Sequence, residues 1–108
     1  MADPRTPILT KHAPDPLPGL YSQAIVANGF VFCSGNVAMD PETNRIIDGD
    51  IQAHTHQVIK NLSAILDAAG SSINHVVKVN IFLADMGDFA KMNEVYDLYW
   101  GDIRPCRT

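Results

Sequence analysis

Cysteine is scarce in this 108-residue sequence: Cys33 and Cys106 are its only two. Two thiols cannot build a disulfide framework, and without a secretion signal both are expected to be reduced. Cys33 lies in the apolar run "FVFC" and is expected to be a buried core thiol. Long apolar runs are also missing. "VVKVNIFL", residues 76–83, is broken by Lys78 and Asn80 and falls well short of the about 20 residues a membrane helix needs. The opening "MADPRTPILTKHAPDPLPGL" has no apolar signal-peptide core and no Arg- and Ser-rich transit pattern. A cytoplasmic location is expected, with mitochondrial import by another route left open. Basic residues are few as well: 8 Lys and Arg against 12 Asp and Glu give a net charge of −4. That balance speaks against a nucleic-acid partner, which calls for a basic stripe. There is no G-x-S-x-G elbow, no P-loop and no G-x-G-x-x-G, so no motif supports a cofactor or an activated nucleophile.

What is present reads as one globular domain over residues 1–108, with 46% hydrophobic and 19% charged residues. Residues 1–18 hold five of the seven prolines and are read as an irregular lead-in closing at Pro18-Gly19. "YSQAIVA" and "FVFCSG" flank Asn28-Gly29, a dipeptide suited to a turn with two positive φ angles, so Tyr21–Ala27 and Phe30–Gly35 are predicted to pair antiparallel. Asp40-Pro41 and Asn44 mark a second turn, with a short strand near Arg45–Ile47. From Ile51 the period lengthens. Ile51, Val58, Leu62, Ile65, Leu66 and Ala69 share a helical face, with Asp48 or Asp50 as N-cap and Gly70 as stop. "HVVKVNIFLAD" returns to strand, with Val77, Val79, Ile81 and Leu83 on one face. Asp88 then caps a second helix with Phe89, Met92, Val95/Tyr96 and Tyr99 inward, and Ile103-Arg104-Pro105 turns extended. Strands alternating with two helices define an α+β sheet with helices on one face.

Chemistry is spread over single residues, each with an ordinary structural reading beside the functional one. His54 and His56, two positions apart on a helix, point about 200° from each other and cannot share one ion; solvated histidines are expected. His12 and His75 stand in no ligand pattern. Tyr21 opens a strand and reads as an edge aromatic. Ser34-Gly35-Asn36 closes the hairpin's second strand, Asn93 sits on a helix face, and Arg107 reads as a surface arginine.

Taken together, "GLYSQAIVANGFVFCSGNVAMDPETNRII", "VIKNLSAILDAAGSSINHVVKVNIFLADMGDFAKMNEVY" and "RPCRT" resemble the RidA family, also called YjgF or endoribonuclease L-PSP, in order from about Ala13 to Thr108. The resemblance implies a chorismate-mutase-like α+β fold and a homotrimer with sites in the clefts between subunits. The alternate face of the Lys78/Asn80 strand would be covered by that assembly. It further implies an enamine/imine deaminase that uses no metal and no organic cofactor. Its substrates would be small 2-imino acids such as 2-iminopropanoate (from 2-aminoacrylate) and 2-iminobutanoate, and it would involve no membrane. By position, Arg107 matches the carboxylate-binding arginine, and Tyr21, in Y-S-Q, joins it as a catalytic residue. Ser34, Gly35 and Asn36 at the strand end, with Asn93 on the helix, complete the substrate-binding set. Ribonuclease or translation-inhibitor activity, also attributed to the family, and a non-catalytic carboxylate-binding or chaperone-like role are the alternatives. Family members generally continue beyond this arginine into further strands bearing a glutamate that handles the attacking water. The expectation is therefore an incomplete gene product or record, with the anchor kept and that acid and those strands lacking, and with a sheet edge left open.

Overall fold

The computed structural model describes residues 2–108. Its first sheet has the order β1-β2-β3, with β1 Thr6–Ile8, β2 Ala24–Ala27 and β3 Phe30–Cys33, all antiparallel. The β2–β3 hairpin turns at Asn28 (φ 52°) and Gly29 (φ 78°), the double left-handed turn its dipeptide favours. Pairing begins at Ala24 rather than Tyr21, although the Ser34 amide still donates to the Gln23 carbonyl at 3.0 Å. A short hairpin of β4 Met39–Asp40 and β5 Arg45–Ile46 follows, with Asn44 (φ 54°) in its turn.

The lead-in departs from expectation. It is not irregular throughout, because Thr6–Ile8 pairs with β2 in the register Thr6↔Val26, Pro7↔Ile25, Ile8↔Ala24. Pro7 concealed this strand in the sequence; proline is tolerated here because β1 is an edge. Gln23 holds the rest of the segment. Only 3% exposed, it donates through Nε2 to the carbonyls of Thr10 (3.0 Å) and Pro14 (2.9 Å) and accepts from the Thr10 amide (2.7 Å). Gln23→Ala would strand these backbone groups, an expected loss of about 1–3 kcal/mol. Urea denaturation measures it, and an unchanged midpoint would remove the strap from the account.

Helix α1, Ile51–Ala68, runs five turns. Asp50, not Asp48, caps it by accepting from the Ala53 amide at 2.9 Å, a bond that holds the Asp50 carboxyl below its ordinary range. At the other end Gly70 (φ 81°) donates to Asp67 and Ser71 to Leu66, a Schellman closure. The buried residues of α1 are Ile59, Asn61, Ile65 and Leu66, whereas Val58 and Leu62 are only half-buried. The face is wider than one stripe because α1 meets β3 and β4 on one side and the second helix on another. Ile65 packs on Ala13 and Ala24, two small residues that let helix and sheet approach closely. Asn61 is buried without penalty: it donates to the Met39 carbonyl and accepts from Gln57.

The remaining pieces form a β-α-β crossover. Strand β6, Lys78–Val79, pairs in parallel with β7, Cys106–Arg107, and helix α2, Phe89–Tyr96, lies between them in sequence. Backbone bonds extend the ladder from Val77 to Ile81, the latter donating to the Thr108 carbonyl at 2.8 Å. This strand is shorter than predicted, and Val77, on the face it shares with Val79, is 65% exposed. Helix α2 is also shorter: Asp88 makes no side-chain cap, and Asp85 instead caps the preceding 3-10 turn through the Gly87 amide. Cys33 is exposed, not buried: it is the last residue of β3, opposite Ala24, where the cover over that face of the sheet ends. No helix among the described residues is long and apolar enough to cross a membrane.

Candidate functional site

The crossover decides where Arg107 stands. A parallel return brings β7 back beside β6 and alongside the connecting helix, so residues of α2 meet residues of β7. Phe89, Asn93 and Tyr96 are spaced i, i+4, i+7 and therefore form one stripe of α2. Arg107 lies along that stripe. Its Nη1 donates to Asn93 Oδ1 at 2.7 Å, while the guanidinium carbon is 4.8 Å from the Tyr96 ring centre and 5.7 Å from that of Phe89. Its Nε and Nη2 make no hydrogen bond with the described residues, and that is the edge that forks onto a carboxylate.

The neighbouring charged groups already have hydrogen-bond partners. Arg104 caps the end of α2, with Nη1 donating to the carbonyls of Asp97 (2.9 Å) and Tyr99 (3.0 Å) and Nη2 lying 3.2 Å from the Asp97 carboxylate. Glu94 accepts from Gln52 at 2.8 Å. Arg107 has no acidic partner within ion-pair distance among the described residues. These residues border an open groove of about 470 Å³. Burial pushes the Tyr96 phenol up, with the charges of Arg107 and Arg104 opposing that shift. A larger groove, about 570 Å³, lies by His56, Lys60, Ser63 and Tyr99. Its two aromatic polar groups bind each other, His56 Nδ1 to Tyr99 hydroxyl at 2.6 Å, and it holds none of the residues expected to carry chemistry.

Of the expected site residues, the fold brings Arg107 and Asn93 together. Ser34, Gly35 and Asn36 form a separate turn after β3: Ser34 Oγ donates to the Ser22 carbonyl (2.6 Å), and Asn36 Nδ2 donates to the Ser34 carbonyl (3.1 Å). Gly35 is open, since a Cβ there would meet nothing within 4 Å. Tyr21 is exposed nearby in sequence. No hydrogen bond among the described residues links this group to Arg107, and none of it borders the arginine's groove. Of the helix histidines, expected to be solvated, His56 is exposed and also binds Tyr99, whereas His54 is half-buried and its Nε2 donates to the Ile47 carbonyl at 3.0 Å. Sequence reasoning gave Tyr96 and Phe89 only a packing role; their i+3 and i−4 relation to Asn93 was the signal that tied them to the arginine.

The model of the Endoribonuclease L-PSP family matches residues 10–108. A RutC family protein of Pyrococcus horikoshii is 53% identical over 101 residues, which are 94% of this chain and 79% of that protein. The crystal structure of yeast Mmf1 is similar with a TM-score of 0.90 and 42% identity, covering 96% of this chain and 82% of that one; the Saccharomyces cerevisiae protein is described as mitochondrial. Escherichia coli TdcF, solved with bound serine, has a TM-score of 0.86 at 34% identity, covering 95% of this chain and 82% of its own. The chain belongs to the endoribonuclease L-PSP family, the RidA/YjgF group, and has its α+β fold.

Proposed function

We propose that the protein hydrolyses small 2-imino acids to 2-keto acids and ammonia, with Arg107 as the carboxylate anchor. The observation that carries this reading is the acid-free guanidinium with its forking edge open in a groove. The serine in the TdcF structure, a small amino acid with a carboxylate, points the same way. Two parallel charge-assisted bonds fix both the position and the plane of a carboxylate. The C=N carbon adjacent to that carboxylate is then held for attack by water; the C–O bond forms, the C=N bond breaks, and nitrogen leaves as ammonia. Imines are already electrophilic, so positioning and modest electrostatic help supply most of what is needed.

In this reading Tyr21 and the Ser34-Gly35-Asn36 turn hold the imine end and its water. Among the described residues no hydrogen bond joins them to Arg107, so a homotrimer with clefts between copies is the arrangement we favour. The exposed apolar side chains Phe30, Phe32 and Val77 on the sheet strands suit such an interface. The protein would act in the cytoplasm or, as the description of yeast Mmf1 prompts, in mitochondria, without a cofactor or a membrane. RNA cleavage, the activity in the family's name, is less well supported, because the groove offers one unpaired arginine and no basic stripe.

The test contrasts two imines. 2-Iminopropanoate is generated from alanine by an amino-acid oxidase, and an imine of similar size without a carboxylate is generated by an amine oxidase. The protein is expected to accelerate loss of the first by about a hundredfold more than the second. Equal acceleration of both, or of neither, would count against the reading.

A further inference from the structure

We infer that Tyr96 is a positioning residue for Arg107: its ring sets the plane in which the guanidinium meets a carboxylate. The inference rests on Arg107 being the anchor. A long arginine side chain without an acidic partner loses much of its rotamer freedom when a ligand fixes it. Here much of that freedom is already removed. Asn93 holds one end of the guanidinium and the Tyr96 and Phe89 rings lie against it, which leaves the Nε–Nη2 edge clear. Preorganisation of this kind raises affinity by lowering the ordering penalty of binding.

Tyr96 is itself fixed from behind. Its ring is 4.9 Å from that of Trp100, and its carbonyl accepts the Trp100 indole N–H at 2.8 Å. Trp100 is 2% exposed, so the stack Arg107–Tyr96–Trp100 runs from the groove into a buried side chain. The ring, not the hydroxyl, is the operative part. The Tyr96 hydroxyl is buried and has no hydrogen-bond partner among the described residues. Phenylalanine would therefore keep the stack and relieve an unsatisfied group, whereas leucine would keep apolar bulk and lose the π face.

The experiment titrates the full chain with pyruvate and with its amide, pyruvamide, by ligand-observed NMR. Tyr96→Leu is expected to weaken pyruvate binding about fivefold and raise KM for 2-iminopropanoate more than it lowers kcat. Pyruvamide binding should not change. Tyr96→Phe should hold pyruvate affinity within about twofold of the parent and melt no earlier. In an Arg107→Ala background, Tyr96→Leu should produce no further loss, as expected of a residue that acts through the arginine. The inference is overturned if Tyr96→Leu leaves pyruvate binding intact, weakens both ligands alike, or adds its full effect without Arg107. If Arg107→Ala leaves pyruvate binding unchanged, the anchor reading fails and this inference with it. If Arg107→Ala abolishes binding and Tyr96→Leu does nothing, only this inference fails.

Discussion

Arg107→Ala is expected to lower kcat/KM for 2-iminopropanoate by about a hundredfold while barely moving the melting temperature. Each hydrogen bond to a charged group is worth about 1.5–3 kcal/mol, and a fork makes two. Arg107 is exposed at the groove, where water competes, so the lower end of that range applies. Folding loses little, because the side chain contributes one bond, to Asn93 Oδ1, and two ring contacts at the surface. Arg107→Lys separates charge from geometry. Lysine keeps the positive charge but has no planar fork and no flat face for Tyr96, so it should recover only a small part of the loss. The oxidase-coupled imine assay measures both variants. Parent-level activity in Arg107→Ala would falsify the anchor assignment, and full rescue by lysine would reduce the arginine to a mere charge.

The second large effect is on stability. Trp100→Ala is expected to destabilise the domain by about 3–5 kcal/mol, a large share of the 5–15 kcal/mol typical of such a fold. The indole is 2% exposed, packed at a tilt of 41° against the Tyr96 ring, and its N–H is bonded to the Tyr96 carbonyl. Its backbone adds an unusual feature: φ is 86°, a left-handed value that disfavours any side chain. Alanine inherits that strain and glycine does not. Trp100→Gly should therefore be no less stable than Trp100→Ala, the reverse of the usual order. Chemical denaturation of the two variants checks both points, and a clear deficit of glycine relative to alanine would show that the strained turn relaxes once the indole is gone.

How legible these features were depended on whether the signal was local. The Asn28-Gly29 hairpin, the cap-to-Gly70 span of α1 and the existence of α2 follow from turn chemistry and period, and the structure has them. The strand at Thr6–Ile8 was hidden because its pairing comes from β2, distant in sequence, as does the Gln23 side chain that straps Thr10 and Pro14 beyond it. Cys33 was misread because an apolar run does not say where the cover over its inner face ends. The Asn93–Arg107 contact is equally non-local. Composition and spacing could nominate each residue only as an ordinary surface group, and it was the family resemblance that placed both in one site. The crossover supplies the physical reason, since a parallel return forces β7 alongside the helix it follows.

That crossover also has a mechanical consequence. Arg107 is part of the β7 ladder, held to β6 through Cys106, Thr108 and Ile81 backbone bonds, and its side chain grips α2. The proposed carboxylate anchor therefore stands on a strand of two residues that is held from both sides. If binding needs Arg107 in this place, it favours the ordered form of β7, so under the proposed reading occupancy and local order around this strand would rise and fall together.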